Sequence, residues 1–356
     1  MHPLPPAGGR RRLVCYSLLS GDHHCGVHPS GGAGPPWLDQ EIADAFGLGA
    51  VRGPLHHVAD GWGGHNRVYR LDTEAGAFAV KRYGRRLGGG DPPAGGFAVE
   101  QAAFAGGVPM PSPVPAVGVG DGCWAEVGGT WFRCHEWVDG SAKYNEDTSA
   151  AEAEAMGRIV AHLHGLAIAA GPVVPPVDWR PQLEALLTAG RARRAGWAGG
   201  LAASLDRIAA FTEPTPPPGE VAGSHGDLNA HNVLFSPAGL RLVDWDAAGP
   251  AWLRWERADF AVRWGERGRG RYDESAVRAW VTGYRDGGGT WDDDDPAVLS
   301  FAPARFLPWV VDNIEMAVKD PTPEQDEVAA ILIGVVVEAP RRVAERQDIL
   351  ARAIRW

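Results

Sequence analysis

Cysteine is scarce in this sequence, and its cysteines do not form the closely spaced pairs that bind zinc. The four cysteines are Cys15, Cys25, Cys123 and Cys134. The lack of a CxxC pair argues against a zinc ribbon. Long apolar runs are missing too, since no stretch approaches the roughly 18 apolar residues of a membrane span. The apolar run at residues 13–19 is short and broken by polar side chains, unlike a signal peptide. We therefore expect a cytoplasmic protein with no membrane partner.

An excess of positive charge is also missing. The chain has 34 lysines and arginines against 44 aspartates and glutamates, a formal net charge of -10. Proteins that bind nucleic acid usually present a basic face, so this balance argues against a nucleic-acid partner. It is compatible with a small cationic substrate. The 356 residues are enough for two lobes with their own cores. Nothing in the composition predicts an oligomeric state.

The character of the chain changes twice along its length. Residues 1–36 are rich in proline, glycine and histidine without periodicity, which predicts a disordered tail of unassigned role. Residues 37–139 favour β-strands with one helix, and residues 140–356 favour helices. An Asp-Gly turn at residues 139–140 separates the two regions. The sequence therefore predicts an α+β protein with a strand-rich N-terminal lobe and a larger, mainly helical C-terminal lobe.

A glycine-rich turn is predicted in the first lobe, between two strands. It contains Gly61, Gly63 and Gly64. No helix follows it, which argues against a Rossmann fingerprint or a P-loop. Glycines in such a turn let backbone N–H groups approach phosphate oxygens. A plain hairpin turn is equally compatible with this pattern.

The next predicted strand carries a lysine that suits a phosphate. Side chains alternate along a strand, so Ala79 and Lys81 face one way while Phe78 and Val80 face the other. The small alanine leaves room for a flat base beside the lysine. Glu100, on a helix predicted from residue 97 to 104, has the charge to pair with Lys81. The alternatives are a solvated lysine on an edge strand and a solvent-facing glutamate.

Residues 224–246 predict a polar loop followed by a β-hairpin. The loop carries Asp227 and Asn232, and the hairpin returns to deliver Asp244 and Asp246 beside them. Proline and glycine in the turn at residues 236–239 support the hairpin. Clustered oxygen ligands are what Mg²⁺ prefers. A further carboxylate suits a base that takes a proton from a hydroxyl group.

Helices are predicted through the rest of the C-terminal lobe. The first covers residues 151–169 and carries His162 and His164, interpreted as surface or packing residues. A capping box at residues 322–325 opens an apolar helix, and Pro340 begins the last one. The acidic residues 292–295 are expected in a solvated loop.

Taken in order, these features resemble one family. His-Gly-Asp at residues 225–227, Asn232 five positions after Asp227, and Val-Asp-Trp-Asp at residues 243–246 are similar to the aminoglycoside phosphotransferase / choline kinase family. The resemblance covers roughly residues 50 to 340. It implies a bilobal protein-kinase-like fold: an N-terminal nucleotide-binding lobe built on an antiparallel sheet with one helix, and a larger C-terminal lobe for catalysis and acceptor binding.

The resemblance also implies a role for each matching residue of the catalytic stretch. Asp227 would accept or orient the proton of the acceptor hydroxyl group, and Asn232 and Asp244 would hold Mg²⁺. Asp246 stays open between a second-shell ligand, a substrate contact and a surface residue. Asp259 is similar to the family aspartate that accepts backbone N–H bonds from the catalytic loop, although a solvated helix residue fits the pattern as well.

For the first lobe the resemblance implies a site for ATP, with GTP not excluded. Lys81 would bind the α- and β-phosphates, and Glu100 would anchor Lys81. The glycines of the turn would cover the phosphates. The adenine would contact four further positions: Val68 and Ala79 by sandwiching, and Glu136 and Val138 by backbone groups.

The implied activity is an ATP- and Mg²⁺-dependent transfer of the γ-phosphoryl group to a hydroxyl group of a small molecule, either aminoglycoside-like or an amino alcohol or other metabolite. No segment like a protein-kinase activation loop follows Asp244, which favours a small acceptor. Asp312 and Glu315 share a helix face with Trp309 and could attract an amine, although solvated helix residues are the alternative. The alternative function is a nucleotide-binding pseudokinase scaffold without turnover. The sequence does not identify the acceptor.

Overall fold

The structure is a computed structural model, and it describes residues 36–60, 66–83, 94–118, 122–171, 173, 178–209, 219–268, 270–293 and 295–355. The chain divides into two compact units. Unit 1 comprises Met1–Pro92 and Pro111–Val138, and unit 2 comprises Pro93–Met110 and Asp139–Trp356. The predicted tail up to residue 35 and the predicted glycine turn, with Gly61, Gly63 and Gly64, lie outside the described residues. No helix in the described ranges is long and apolar enough to cross a membrane.

Unit 1 is built on an antiparallel sheet. Its elements are α1 (Pro36–Ala45), β1 (His56–Asp60), β2 (Arg67–Thr73), β3 (Gly76–Tyr83), β4 (Pro113–Val114), β5 (Ala125–Val127) and β6 (Thr130–Glu136). The strand order is β1-β2-β3-β6-β4, and β5 also pairs with β6. All these pairings are antiparallel. This agrees with the predicted strand-rich lobe.

The predicted alternation along β3 is confirmed. Phe78 and Val80 are buried in the core of unit 1, whereas Ala79 and Lys81 are half-buried. Val68 is the cross-strand partner of Lys81 in β2. Cross-strand partners share a face of a sheet, so Val68, Ala79 and Lys81 lie on the same face.

Unit 2 contains most of the helices in the described residues. They are α2 (Ala94–Ala105), α3 (Ala150–Gly165), α4 (Arg180–Ala192), α5 (Ala198–Ala209), α6 (Leu253–Trp264), α7 (Glu274–Asp286), α8 (Ala302–Lys319) and α9 (Pro323–Ile354). Two antiparallel pairs accompany them: β7 (Val221–Ser224) with β10 (Gly249–Trp252), and β8 (Val233–Ser236) with β9 (Gly239–Leu242). Helix α2 lies beside β10 in this unit. The lobe boundaries inferred from the sequence stay a prediction.

Helices α3 and α7 approach each other closely because both carry a glycine at their contact. A Cβ atom on Gly157 would lie 2.2 Å from the carbonyl oxygen of Trp280, and one on Gly283 would lie 1.9 Å from that of Glu154. Real Cβ atoms do not come so near a carbonyl oxygen. The two glycines therefore set the distance between the helices.

The structure corrects the prediction that a new helix begins at Pro340. Thr322 accepts a hydrogen bond from the Gln325 N–H at 3.2 Å and Pro323 begins α9, as predicted. The helix then continues through Pro340. Proline removes one main-chain hydrogen bond but fixes φ in the helical range. Val336 and Val343 are buried on either side of it, so the packing of this face outweighs the lost bond.

The prediction that residues 292–295 form a solvated loop is wrong for Asp295. Asp292 is largely exposed, but Asp295 is completely buried. The carboxylate of Asp295 pairs with Arg254 and with Arg257, the latter at 2.8 Å. A buried charge needs such partners. The run of aspartates indicates negative charge in this segment. It does not indicate that Arg254 and Arg257 of α6 pair with Asp295.

Candidate active site

The loop between β7 and β8 presents the predicted catalytic residues. After Ser224 the chain runs through a short 3₁₀ turn, Ala230–Asn232, into β8. Gly226 has φ +79°, and a Cβ atom there would lie 2.3 Å from the carbonyl oxygen of Ala247. Only glycine tolerates both conditions. The glycine before Asp227 is therefore required by the path of the loop.

Three side chains hold the buried carboxylate of Asp227. Asn229 Nδ2 lies 2.6 Å from Oδ1, and Arg263 Nη1 lies 3.0 Å from the same oxygen. Asn232 Nδ2 lies 3.1 Å from Oδ2 and 2.8 Å from the main-chain oxygen of Asp227. In each of these contacts the neighbouring side chain donates the hydrogen bond and Asp227 accepts it. The carboxylate is therefore fixed in orientation as an acceptor, with Oδ1 holding two donors and Oδ2 holding one.

Asn232 and Asp244 lie at neighbouring ends of the β8–β9 hairpin. The Val243 N–H donates to the main-chain oxygen of Asn232 at 2.9 Å, which extends the hairpin to the residue before Asp244. Asp244 is exposed and has φ +64°, a left-handed conformation that aspartate adopts more readily than most residues. The Asn232 amide nitrogen faces Asp227, so its oxygen points elsewhere. The hairpin thus brings two candidate oxygen ligands, the carboxamide oxygen of Asn232 and the carboxylate of Asp244, to one edge.

This donor set fits Mg²⁺. Mg²⁺ takes oxygen ligands and usually binds proteins through one or two carboxylates, keeping water and substrate phosphates for its other positions. No group of three or more histidine, cysteine or acidic side chains in the described part of the chain is arranged to hold a metal. A carboxamide and a carboxylate are oxygen ligands of the kind that Mg²⁺ accepts when substrate phosphates and water fill its other positions.

His225 holds the loop through both ring nitrogens. Nε2 lies 3.0 Å from the Val243 carbonyl oxygen, and Nδ1 lies 3.4 Å from the Asp227 N–H nitrogen. Burial lowers the pKa of His225, while the Val243 carbonyl and the carboxylates of Asp227 and Asp244 act in the opposite direction. A neutral ring, with the proton on Nε2, satisfies both contacts.

Glu256 anchors the loop from α6, and this overturns the prediction for Asp259. Glu256 is completely buried, and its Oε1 accepts the Gly226 N–H at 3.0 Å. Its Oε2 lies 3.0 Å from His164 Nε2, and His164 Nδ1 lies 2.9 Å from the Tyr284 hydroxyl oxygen. The residue that accepts a loop N–H is therefore one turn earlier than predicted. His164 is a packing residue, as predicted.

Asp259 is buried among arginines. Its carboxylate lies 2.6 Å from Arg263 Nε and 2.6 Å from Arg346 Nη2. A solvated position for Asp259, the second sequence interpretation, is also wrong. Neither arginine is among the residues predicted from the sequence. Arg263 follows Asp259 by four residues on one helix, which is an available signal for a pair. Arg346 comes from α9 and has no local signal.

In unit 1 the candidate nucleotide residues occupy β3 and the end of β6. Lys81 and Ala79 share a sheet face with Val68, as described above. The Glu136 N–H donates to Ser112 and the Trp137 N–H donates to Ala77, both at 2.9 Å. Internal bonds thus occupy these two N–H groups. The backbone of Val138 and the carbonyl of Glu136 are therefore the candidates to contact the adenine.

Glu100 belongs to α2 in unit 2 and is completely buried. The alternative interpretation, a solvent-facing helix glutamate, is therefore wrong. Its pairing with Lys81 stays a prediction.

The acidic residues of α8 are less preorganised than those of the loop. Asp312 is exposed, and Glu315 lies 2.9 Å from Lys319 on the same helix. Neighbouring groups still remove part of the hydration of the Asp312 carboxyl, and this desolvation and the charge of Glu315 raise the pKa of Asp312, whereas Lys319 lowers it. Glu315 thus already has a cation beside it. Of the two, Asp312 is the better candidate to attract an amine.

Comparison with known proteins places the chain among phosphotransferases. Residues 57–289 match the model of a family described as "Phosphotransferase enzyme family". A comparison with curated protein sequences gives no significant match.

Several solved structures are similar to the chain at low sequence identity. A spectinomycin phosphotransferase, APH(9)-Ia, in complex with ADP and spectinomycin has a TM-score of 0.57 at 11% identity, over 85% of this chain and 98% of that one. The amicoumacin kinase hAmiN in complex with AMP-PNP, Ca²⁺ and Ami has a TM-score of 0.56 at 15% identity, over 87% and 92%. A choline/ethanolamine kinase family protein from Mesorhizobium loti has a TM-score of 0.54 at 17% identity, over 88% and 98%. These likenesses establish the predicted α+β kinase-like fold.

Proposed function

Because the chain belongs to the phosphotransferase enzyme family, it is a small-molecule phosphotransferase, and we propose that it moves the γ-phosphoryl group of ATP to a hydroxyl group of its acceptor with the help of Mg²⁺. GTP is not excluded as the donor. The acceptor is aminoglycoside-like, an amino alcohol or another small metabolite. A cytoplasmic location stays a prediction from the sequence.

The buried carboxylate of Asp227 is the observation that carries this proposal. It accepts hydrogen bonds from Asn229, Arg263 and Asn232, which fix its orientation. A carboxylate held in this way can orient the acceptor hydroxyl group and take its proton as the phosphoryl group is transferred. Transfer of this kind depends mainly on positioning and electrostatics, so a rigid base serves it well.

Asn232 and Asp244 are the residues that would hold Mg²⁺, through the carboxamide oxygen and the carboxylate. When bound there, the ion would bridge phosphate oxygens and neutralise their developing charge. The structures of two similar proteins support nucleotide use with a divalent ion. One contains ADP and the other contains AMP-PNP with Ca²⁺.

For unit 1 we propose that Lys81 contacts the α- and β-phosphates and that Glu100 anchors it. The glycine turn would cover the phosphates through backbone N–H groups. Val68 and Ala79, which share the face of Lys81, would sandwich the adenine. The backbone of residues 136–138 would meet its polar edge, with the Val138 N–H as the donor.

For the acceptor we propose a small molecule that carries an amine. Asp312 and Trp309 lie three residues apart on α8, where a carboxylate and an aromatic ring together attract a cation. Spectinomycin and Ami are bound in the two similar structures. The acidic balance of the chain, a net charge of -10, is consistent with a cationic acceptor.

The test is consumption of ATP in the presence of Mg²⁺ across a panel of acceptors: aminoglycosides, spectinomycin, choline, ethanolamine, homoserine and sugars. We expect acceptor-dependent release of ADP with at least one of them, together with a phosphorylated product seen by mass spectrometry. Tight nucleotide binding without turnover on any acceptor would instead support the pseudokinase scaffold. Replacing ATP by GTP in the same assay decides the donor.

A further inference from the structure

A line of buried charges connects the last helix of the chain to the catalytic loop. Arg346 of α9 pairs with Asp259 of α6 at 2.6 Å, and Asp259 pairs with Arg263 of the same helix at 2.6 Å. Arg263 in turn pairs with Asp227 at 3.0 Å. The exposed fractions of these four side chains range from 1% to 14%. Two arginines and two aspartates alternate, so the charges balance within the line.

We propose that Arg263 and Arg346 are positioning residues for phosphoryl transfer, and that they set which oxygen of Asp227 faces the acceptor. This inference rests on the proposed function, because it concerns the geometry of the base. Arg263 acts directly on the carboxylate. Arg346 acts through Asp259 on Arg263.

The contacts of Asp227 identify the reactive oxygen. Oδ1 accepts from both Asn229 and Arg263, whereas among the residues that the structure describes Oδ2 accepts only from Asn232, at 3.1 Å. A carboxylate oxygen has two lone pairs, so Oδ1 is filled and Oδ2 keeps one. Oδ2 is therefore the atom that receives the acceptor hydroxyl proton. The two donors on Oδ1 prevent rotation that would exchange the oxygens.

A guanidinium group is needed at residue 263 because one planar side chain bridges two carboxylates. Nη1 of Arg263 donates a hydrogen bond to Asp227 at 3.0 Å, and Nε forms an ion pair with Asp259 Oδ2 at 2.6 Å without hydrogen-bond geometry. Because the guanidinium group is planar and rigid, the position of Asp259 determines where Arg263 holds Asp227. A lysine has a single ammonium group on a flexible stem and cannot reproduce this bridge.

Arg346 completes the arrangement from a distance in sequence. Its Nη2 lies 2.6 Å from Asp259 Oδ1 and 3.2 Å from the main-chain oxygen of the same residue. Without it, the buried charge of Asp259 would be left with Arg263 as its partner within the described ranges. Arg263 would then be drawn towards Asp259 and away from Asp227. The C-terminal helix α9 thus belongs to the catalytic geometry although it supplies no group to the reaction.

The experiment compares Arg263→Gln, Arg346→Gln and the double variant, with Arg341→Gln as the control. Arg341 lies on α9 as well, but it is exposed and pairs with Glu338 and Glu345 of its own helix. We expect kcat to fall about 100-fold in Arg263→Gln and about 10-fold in Arg346→Gln, with the nucleotide KM within about 2-fold of wild type, because misplacement of a base affects turnover rather than binding. Arg341→Gln keeps wild-type kcat.

The double variant distinguishes an effect of Arg346 that passes through Arg263, which we call the relay, from an unspecific loss of activity. If Arg346 acts through Arg263, adding Arg346→Gln to Arg263→Gln lowers kcat by less than about 2-fold further, since coupled residues are not additive. Independent, additive losses would overturn the relay. Arg263→Lys should not restore kcat, and full rescue by lysine would overturn the bridging role. Should Arg346→Gln fail to fold, Arg346→Lys keeps the charge and should still lower kcat.

A second readout does not depend on turnover. The Nε–H signal of Arg263 in a nitrogen–proton correlation spectrum, assigned by its loss in Arg263→Lys, should shift in Asp227→Asn and in Arg346→Gln. It should stay in place in Arg341→Gln. An Nε–H signal of Arg263 that keeps its position in Asp227→Asn would contradict the relay. A wild-type chain that transfers no phosphoryl group, but shows these shifts, would instead refute the proposed function and leave the relay standing.

Discussion

The side-chain amide of Asn232 donates both to the main-chain oxygen of Asp227, at 2.8 Å, and to its carboxylate, at 3.1 Å. One amide group thereby links the two ends of the catalytic loop. Because its nitrogen is used in this way, its oxygen is the atom that would bind the Mg²⁺ of the proposed function. Asn232 therefore has two separable tasks, one for each atom of the amide.

Asn232→Asp separates these tasks. An aspartate keeps an oxygen ligand for Mg²⁺ but loses the donor and places a second carboxylate beside Asp227. We expect Mg²⁺-dependent nucleotide binding to be largely kept while kcat falls about 100-fold, because the base loses its orientation. Nucleotide titration with and without Mg²⁺, beside steady-state kinetics, measures both effects. Asn232→Ala is the control that should lose both functions.

Asp227→Asn should abolish transfer and leave nucleotide affinity nearly intact. The amide fills the same space but cannot take a proton from the acceptor hydroxyl group. We expect kcat to fall at least about 100-fold. Nucleotide affinity by calorimetry serves as the internal control for folding. Unchanged turnover would remove Asp227 from its proposed role.

Glu256 stabilises the loop through Gly226, and its removal should cost stability. Glu256→Ala leaves the Gly226 N–H and the ring of His164 buried without their present partner. We expect the free energy of unfolding to fall by about 2 kcal/mol. Urea unfolding measures this loss. The control is Glu154→Ala on α3, whose partner Arg158 is exposed, with a change within about 0.5 kcal/mol. Equal losses in the two variants would contradict the anchoring role of Glu256.

The sequence predicted the parts of the site that follow from local order. The spacing of Asp227 and Asn232, the hairpin that returns to Asp244, and the alternation around Lys81 all depend on residues close together in the chain. The turn chemistry at residues 236–239 was sufficient to place β8 against β9. For the same reason the antiparallel sheet and the mainly helical region were predictable.

The missed features depend on contacts between distant segments. Glu256 and His164 are 92 positions apart, and Arg346 and Asp259 are 87 apart. Each of these residues looks like an ordinary polar helix residue until its buried partner is known. The error at Pro340 has a related cause. Local propensity predicts a break there, whereas the packing of a 32-residue helix overrides it.

Gly157→Ala should destabilise the protein through the contact of α3 with α7. The new Cβ atom would lie 2.2 Å from the carbonyl oxygen of Trp280, so the helices must move apart. We expect the free energy of unfolding to fall by about 3 kcal/mol. Gly165→Ala is the matched control on the same helix, because nothing lies within 4 Å of its Cβ position. It should raise stability by about 0.5 kcal/mol, since alanine favours a helix over glycine. Thermal unfolding distinguishes the two.

Stability should fall when the pH drops below about 6.5, the ordinary pKa of a histidine. Burial lowers the pKa of both His225 and His231. Between the folded and unfolded pKa values the unfolded chain binds more protons, so acid favours unfolding in that window and stability is fully present above it. The carboxylates of Glu152 and Asp273, whose pKa values are lowered from 4.5 and 3.8, act only at lower pH. Urea unfolding between pH 7.5 and 5.5, in a chelator that removes metal ions, measures the slope. His231→Gln should flatten it, and a slope identical to that of the wild type would contradict this assignment.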